Sequence, residues 1–355
     1  MFSPGDLLQG PRGRRMLLGL AAILDEDVGR LVFDLAYELD PGKGTTVVRL
    51  TFVSEGEPGP EPPAPTVGDA VRALAAVDPT HATSADIDAA LAASVDDARY
   101  WQPPSGSDVL AALPEVIDAV RPIATFVAQH PPDWWVGERR VEQWAIEWRD
   151  PGDPAPIDID PAMALRKWSD DTDAREEWSR REAIDHPDIA WSGDWWSTPN
   201  GLLATTGATD AAQPVGLRCV EDPPGWEAAT AIPVRGAGRT YEIRTAEDWA
   251  ALCRRFPREV TASRRHDWFR ATGRDGRWLI PDWQRVATEW DAVHLTVGGY
   301  LNAATRTIHV DDEWGSVIGG WGPDVTFWLT EKVRQWEGRV EWRRHDEGWM
   351  RVGGW

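Results

Sequence analysis

The sequence predicts an α+β protein, in which a mainly helical N-terminal region (residues 1–130) precedes a tryptophan-rich mixed region with antiparallel strands (residues 131–355). Apolar residues recur at helical spacing in the first region, whereas short alternating runs between Gly- and Pro-rich turns prevail in the second. The chain has 23 tryptophans, and none precedes Trp101. At 355 residues it is long enough for two domains of different character.

The first region reads as a series of helices. Ser3 can cap a first helix because Pro4 fits the first helical position. Apolar periodicity predicts helices over residues 16–24, 27–39, 67–77, 84–100 and 105–129. Pro114 and Pro122 are expected to kink or divide the last helix. Residues 45–53 alternate and predict one strand.

The second region mixes strands with fewer helices. Residues 140–148 predict a strand with Trp144, Ile146 and Trp148 on one face, and a charged helix is expected over 161–184. Turn signals then separate short strands, which we predict at residues 216–220, 226–234 and 240–244.

The last third changes to alternating helices and strands. Thr245 and Asp248 form the pattern of a capping box and predict a helix to about residue 256. A helix is expected to start at 281–283, followed by an apolar strand over 292–297 and a short helix. The final strands are predicted at residues 307–310, 325–329 and 340–344.

The charge balance limits the classes of partner. The chain has 37 basic and 58 acidic residues, a net charge of -21. Binding of nucleic acid is not expected from the average field, because neutralising phosphates needs a cationic face. We expect either an anionic small molecule at a local cationic site, or a basic protein that meets the acidic surface.

The remaining composition favours a cytoplasmic protein. Two cysteines, Cys219 and Cys253, cannot build a disulfide framework, and no Cys/His spacing predicts zinc. The run at residues 16–24 leads into acidic residues without a cleavage site, so we expect no signal peptide. No segment has the roughly 20 apolar residues of a membrane span. The carboxylate run 311–313 lacks calcium-loop spacing, so no metal site is predicted.

A cationic segment is the main candidate for an anion site. Between residues 251 and 280 there are eight arginines and three acids. Guanidinium groups bind phosphates and carboxylates bidentately, so Arg264 and Arg265 are candidate anion ligands. Arg14 and Arg15 form a second possible contact. The alternative is that these arginines are solvated and paired with acidic residues.

Two histidines could supply acid–base chemistry. His266 adjoins Asp267, and a carboxylate can orient an imidazole. His294 and Thr296 share one face of the strand predicted at 292–297, because alternate residues of a strand point to the same side. A core histidine bonded to a backbone carbonyl is the alternative for His294.

Aromatic residues are candidates for packing and for binding. Trp249, Trp283 and Trp290 are predicted to face the core from helices. In Trp134-Trp135 and Trp195-Trp196, neighbours in an extended chain point to opposite sides, so at least one ring of each pair is expected to be exposed. Exposed indoles stack on sugars, bases or cations. The candidate stacking residues are Trp195, Trp196, Trp268 and Tyr300.

Three stretches carry a resemblance. With residues 263–268, 291–301 and 320–329 in view, the chain resembles tryptophan-rich hypothetical proteins of GC-rich bacteria. That resemblance spans most of the length and implies no activity.

The order of elements from Tyr241 onward is also similar to that of ADP-ribosyltransferase-like domains. The similarity would imply NAD as a bound cofactor, with Arg244, Thr296 and Glu313 in the positions of the family's first-, second- and third-strand residues. The family's glutamate motif on the third strand is missing here.

Three functional hypotheses follow. The first is an enzyme or ligand-binding protein for a nucleotide or other anionic metabolite, acting through a cleft formed by the Arg264/Arg265 segment and His266 or His294. The second is an acidic inhibitor or immunity-type protein without catalysis. The third is carbohydrate binding through exposed tryptophans.

Overall fold

The protein has an α+β fold, with helices in the N-terminal part and most strands in the C-terminal part. The computed structural model describes residues 3–48, 65–149, 160–182, 186–189, 193–223, 225–346 and 348–353. The chain forms two compact units. The first comprises residues 1–94 and 103–131, and the second comprises residues 95–102 and 132–355.

Among the described residues of the first unit, helices are connected by turns and short loops. Its helices are α1 (Pro4–Gln9), α2 (Pro11–Leu24), α3 (Glu26–Leu39), α4 (Val67–Ala76), α5 (Ser84–Asp96, whose last two residues belong to the second unit), α6 (Gly106–Ala111), α7 (Pro114–Ala119) and α8 (Arg121–Gln129). Ser3 caps α1, as predicted, and Asp6 completes a capping box that was not predicted. Pro114 and Pro122 each lie in the first turn of a helix, so they divide the predicted 105–129 helix.

Two buried contacts hold these helices together. Arg12, which is 2% exposed, pairs with Asp108 and donates to the carbonyl of Ser94 at 2.8 Å. Helices α3 and α6 approach so closely that a Cβ on Gly106 would lie 1.7 Å from the Ala36 carbonyl oxygen.

The strand predicted at 45–53 is wrong over residues 45–48, which form a turn closed by the Gly44 N–H and the Val47 carbonyl. Residues 49–53 lie outside the described residues.

The second unit contains the remaining elements. Its helices are α9 (Pro161–Glu182), α10 (Ala246–Arg255), α11 (Thr261–Thr272), α12 (Trp283–Val286) and α13 (Val297–Ala303). Its strands are β1 (Glu142–Glu147), β2 (Ala204–Thr206), β3 (Ala228–Gly236), β4 (Thr240–Ile243), β5 (Pro257–Glu259), β6 (Arg277–Pro281), β7 (Ala292–Leu295), β8 (Ile308–His309), β9 (Trp314–Ser316), β10 (Val325–Trp328), β11 (Val333–Gln335), β12 (Val340–His345) and β13 (Gly348–Arg351).

The strands form two sheets. The larger has the order β13-β12-β3-β1-β2-β10-β7-β4, and β11 also pairs with β3. All of its pairings are antiparallel except that of β4 with β7. The smaller sheet has the order β5-β6-β9-β8. Antiparallel strands were therefore predicted correctly, but the parallel β4–β7 pair was not.

The larger sheet carries a hydrogen-bonded polar row on one face. Trp328 Nε1 donates to Thr205 Oγ1 at 2.8 Å, and Thr205 Oγ1 donates to Gln143 Oε1 at 2.8 Å. Gln143 Nε2 then donates to Thr326 Oγ1 at 2.9 Å. All four residues are buried, so these bonds offset the cost of removing the polar groups from water. Trp328 also fills the space beside β3, because a Cβ on Gly236 would lie 1.9 Å from its ring.

Nine of the 21 tryptophans among the described residues are buried, all of them in the second unit. Trp249, Trp283 and Trp321 contact one another with ring centroids 5.7–6.1 Å apart, and all three are fully buried. The inward packing predicted for Trp249 and Trp283 is confirmed. Trp290 follows the end of α12 and is partly exposed.

The strand predicted at 216–220 is wrong, since Val215–Leu217 form a 3₁₀ turn.

Helix α9 supplies the cap that helix α11 lacks. The residue before α11, Val260, makes no side-chain cap. Instead the buried carboxylate of Glu176 accepts from the Ala262 and Ser263 N–H groups at 2.8 and 2.9 Å. A carboxylate is favoured there because a helix N-terminus carries unpaired N–H groups and partial positive charge.

Replacing Glu176 with Ala is expected to lower the free energy of unfolding by about 1.5–3 kcal/mol, the usual value of hydrogen bonds to a charged group. Urea denaturation measures the change. Glu177→Ala is the matched control, because Glu177 is the next residue of α9 and is exposed. Equal stability of the two variants would contradict the capping role.

Candidate functional site

The predicted arginine segment is internally paired. Seven of the eight arginines form ion pairs with carboxylates: Arg254 with Glu247, Arg255 with Glu289, Arg258 with Asp173 and Asp282, Arg264 with Asp194, Arg265 with Asp275, Arg270 with Asp267, and Arg277 with Glu259 and Glu313. The eighth, Arg274, donates to the carbonyls of Arg277 and Glu313 at 2.9 and 3.0 Å. The local positive excess is thus compensated by acidic residues, several of them outside residues 251–280.

Arg264 has the most enclosed guanidinium of this group. Arg264 is 2% exposed, and its Nη2 lies 3.0 Å from the Asp194 carboxylate. Its other donors reach Ser263 Oγ at 2.7 Å and the Trp196 carbonyl at 3.2 Å. Arg265 points instead to Asp275, at 3.0 Å and near the surface. Each of these two candidate anion ligands therefore pairs with a different carboxylate.

His266 and Asp267 contact different groups. His266 Nδ1 lies 3.1 Å from the Pro187 carbonyl, and burial lowers the pKa of its imidazole. Asp267 pairs with Arg270 at 2.7 Å and accepts from the Gly193 N–H at 3.1 Å. Burial raises the pKa of the Asp267 carboxyl to about 6, although Arg270 lowers it. The carboxylate of Asp267 is thus used by Arg270 and Gly193.

His294 lies between two carboxylates. Its Nδ1 is 2.7 Å from Glu242 Oε2, and its Nε2 is 3.2 Å from Asp324 Oδ1. The register aligns Glu242 of β4 with His294 of β7, so the first contact crosses the parallel pair. Asp324 precedes β10 with a positive φ of 60°, a conformation that aspartate tolerates better than most residues. His294 itself is 2% exposed.

Backbone donors fix both carboxylates. The Arg139 N–H donates to Glu242 Oε1 at 3.0 Å, and the Gly207 N–H donates to Asp324 Oδ2 at 2.6 Å. Burial lowers the pKa of the His294 imidazole, but the bonds to Asp324 and Glu242 raise it more, to about 9. The pKa of Glu242 is below its usual value, because His294 and the Arg139 N–H outweigh the effect of burial. The raised pKa favours the imidazolium form of His294 at neutral pH.

Thr296 follows the last residue of β7, and Arg244 follows the last residue of β4. Both side chains already have bonding partners. Thr296 Oγ1 caps α13 by accepting from the Gly299 N–H at 3.0 Å, and it donates to the Ile243 carbonyl at 3.1 Å. Arg244 pairs with Glu138 at 2.9 Å. Glu313 adjoins β9 of the smaller sheet and pairs with Arg277. The three residues named by the similarity to ADP-ribosyltransferase-like domains thus each have structural partners.

Arg14 and Arg15 belong to the first unit. Arg14 Nη1 donates to the carbonyls of Leu8 and Gln9 at 3.0 and 2.8 Å, where it satisfies the C-terminal carbonyls of α1. Arg15 lies on α2 and is partly exposed.

The candidate stacking residues divide between core and surface. Trp268 and Tyr300 are fully buried. Trp195 lies between Tyr100 and Trp196, with centroids at 5.1 and 4.5 Å, and Trp196 is 39% exposed, as predicted for that pair. For Trp134-Trp135 the prediction is wrong: both are buried, because they lie on a 3₁₀ turn and not in an extended chain.

A pocket of about 600 Å³ lies elsewhere in the second unit. Its lining residues are Pro161, Ala162, Leu165 and Arg166 of α9, Gln284, Ala287 and Thr288 at and after α12, and Leu329, Thr330, Glu331 and Lys332 after β10. None of the residues singled out in the sequence lines it. The volume is within the usual range of small-molecule sites.

The two cations of this pocket differ from those of the arginine segment. Arg166 and Lys332 have no ion-pair partner among the described residues. The other two lysines do: Lys43 pairs with Glu38, and Lys167 pairs with Asp171. No sequence pattern indicated these two residues, because they lie far apart in the chain and only the fold brings them to one pocket.

No protein-family model, curated protein or solved structure matches this chain. The two resemblances drawn from its residues stay predictions. In the described part of the chain, no helix has both the length and the hydropathy to cross a membrane. The same residues contain no cluster of three His, Cys, Asp or Glu side chains arranged to hold a metal ion.

We expect His294→Gln to lower the free energy of unfolding by about 3–5 kcal/mol, because it leaves two buried carboxylates without the charge between them. Urea denaturation at pH 7 gives the difference. His309→Gln serves as control, since His309 is exposed. A loss below about 1 kcal/mol would show that the contacts of His294 contribute little.

The stability of the wild-type protein should fall in alkaline solution. The folded-state pKa of His294, about 9, exceeds its ordinary value of 6.5. Its contribution is therefore complete below about pH 6.5 and is lost as the pH rises through 9. The free energy of unfolding, followed from pH 6.5 to 9.5, should decline more steeply in the wild type and in His309→Gln than in His294→Gln. Identical slopes would argue against a raised pKa.

Proposed function

We propose that the protein binds a small anionic metabolite in the pocket between α9, α12 and the segment after β10. Arg166 and Lys332 hold the anionic group, and the apolar side chains Leu165, Ala287 and Leu329 contact the remainder of the ligand. The observation that carries the proposal is the pairing pattern. The cations of the pocket lack carboxylate partners among the described residues, whereas those of the arginine segment are engaged.

The chemistry of the lining supports an amphipathic ligand. Five of the lining side chains are apolar or lack polar atoms: Pro161, Ala162, Leu165, Ala287 and Leu329. Gln284 adds an amide donor, and it has no side-chain partner among the described residues. Small-molecule sites commonly combine a largely apolar surface with a few polar groups that fix orientation. A carboxylate or phosphate on an aliphatic or aromatic body has matching chemistry.

This proposal keeps the ligand class expected from the sequence and moves its site. Binding an anion at Arg264 would require breaking its contact with Asp194 inside the protein, and breaking a buried pair is costly. Arg166 and Lys332 are exposed, so an incoming anion displaces only water from them. Glu331 also lines the pocket, and it adds a preference for ligands that carry a donor beside the anionic group.

The test is a thermal-shift screen followed by calorimetry with phosphate, citrate, AMP, NAD and phenylacetate as probes. A ligand that binds the native state raises Tm by mass action. Arg166→Gln and Lys332→Gln are each expected to weaken binding of a responding anion by about 10- to 100-fold, because each removes a charge-assisted hydrogen bond of about 1.5–3 kcal/mol.

Lys167→Gln is the matched control. It makes the same change in net charge on the next residue of α9, but Lys167 pairs with Asp171 and does not line the pocket. The Lys167→Gln variant should bind the responding anion with the same affinity as the wild type. Loss of binding in all three variants would indicate a general charge effect, and absence of any response to the anions would contradict the proposal.

A further inference from the structure

Three indoles form a row at one end of the larger sheet. The ring of Trp148 stacks on that of Trp226, with centroids 4.5 Å apart and an interplanar angle of 13°. Trp349 of β13 contacts the same Trp148 ring at 5.6 Å. Trp226 is the outermost of the three and is 37% exposed. The row therefore ends in a flat apolar surface that reaches solvent.

The register places two arginines on the same face as Trp349. Trp342 pairs with Arg351, and Arg344 pairs with Trp349, and residues directly opposite in an antiparallel pair share a face. Side chains two residues apart on one strand also share a face, so Trp342, Arg344, Trp349 and Arg351 all point to one side. The face thus combines indole rings with guanidinium groups.

These guanidinium groups are exposed and form no ion pair within 4 Å among the described residues, although Arg344 is near Asp96, whose pKa is raised by burial and lowered by the charge of Arg344. The Arg344 N–H donates to the Glu227 carbonyl at 2.8 Å, so the backbone of Arg344 lies beside the residue that follows Trp226. The two guanidinium groups lie on one face of the β12–β13 pair. Their donors are available to an oxygen-rich ligand.

We propose that this face binds an oligosaccharide of pyranose rings, with one ring stacked on Trp226 and its oxygen atoms bonded to Arg344 and Arg351. The C–H groups of a pyranose face are weakly positive, and the face of an indole is negative, so the two attract and exclude water. A guanidinium group donates in a planar fork that suits carboxylates, so an acidic sugar should bind more tightly than a neutral one. This inference is independent of the pocket.

A saccharide fits this face better than a single-stranded nucleic acid. Nucleic-acid binding draws most of its affinity from several cations that neutralise successive phosphates. The face offers two guanidinium groups, which are too few to neutralise the successive phosphates of a bound strand. A sugar gains from stacking without requiring a long cationic track.

The experiment is calorimetric titration of the full chain with a hexamer of galacturonic acid, a neutral hexamer of glucose and a hexadeoxynucleotide. We expect the galacturonate to bind most tightly. Trp226→Ala should weaken it at least tenfold, and Trp226→Leu, which keeps an apolar contact with Trp148, should weaken it similarly. Arg351→Gln should reduce the preference for the acidic over the neutral sugar.

Trp336→Ala is the control variant. Trp336 is 36% exposed, almost the same as Trp226, but the guanidinium of Arg235 covers its ring at 3.6 Å. Its removal should leave sugar binding unchanged. The proposal is overturned if neither sugar binds, if only the oligonucleotide binds, or if both Trp226 variants bind the sugar as the wild type does. Thermal unfolding of each variant shows whether a loss of binding reflects a loss of fold.

Discussion

The larger sheet depends on the compensation of charge at His294. This imidazole belongs to β7 and bonds to a carboxylate of β4 on one side and to one that precedes β10 on the other. Burying any one of the three charges alone would cost several kcal/mol. Together they satisfy one another, and backbone N–H groups satisfy the remaining carboxylate oxygens. The arrangement therefore favours one register of three strands over alternatives that would leave a charge unpaired.

Uncharged polar side chains of the same sheet are also buried and paired with one another. Next to His294 across the strand pair lies Thr326, the last member of the hydrogen-bonded row that starts at Trp328. In the protein interior, leaving a hydroxyl or amide group without a hydrogen bond costs more free energy than the bond itself contributes. Each polar side chain in the row therefore requires a hydrogen-bonding residue at the neighbouring position. The polar row and the His294 group thus help to explain how a sheet whose other pairs are antiparallel accepts the parallel strand β4 at its edge.

Local signals were read correctly from the sequence, and long-range pairings were not. The capping box of Thr245 and Asp248 spans three residues, and the prolines act on their own backbone, so both could be recognised without the fold. The partners of His294 lie 52 and 30 residues away, and no periodicity reports such a distance. The pairing of the arginine segment could not be predicted for the same reason, because Asp194, the partner of Arg264, lies outside it.

Unpaired cations do not by themselves mark a site. A surface ion pair contributes only about 0–1 kcal/mol, so an exposed arginine without a partner costs the protein little. What distinguishes Arg166 and Lys332 is their location beside an apolar lining, where an anion would meet lower dielectric and less competing water than on an open surface. The same charge on Lys167, one residue along α9, pairs with Asp171 in solvent. Position relative to the pocket, and not charge alone, separates the two neighbours.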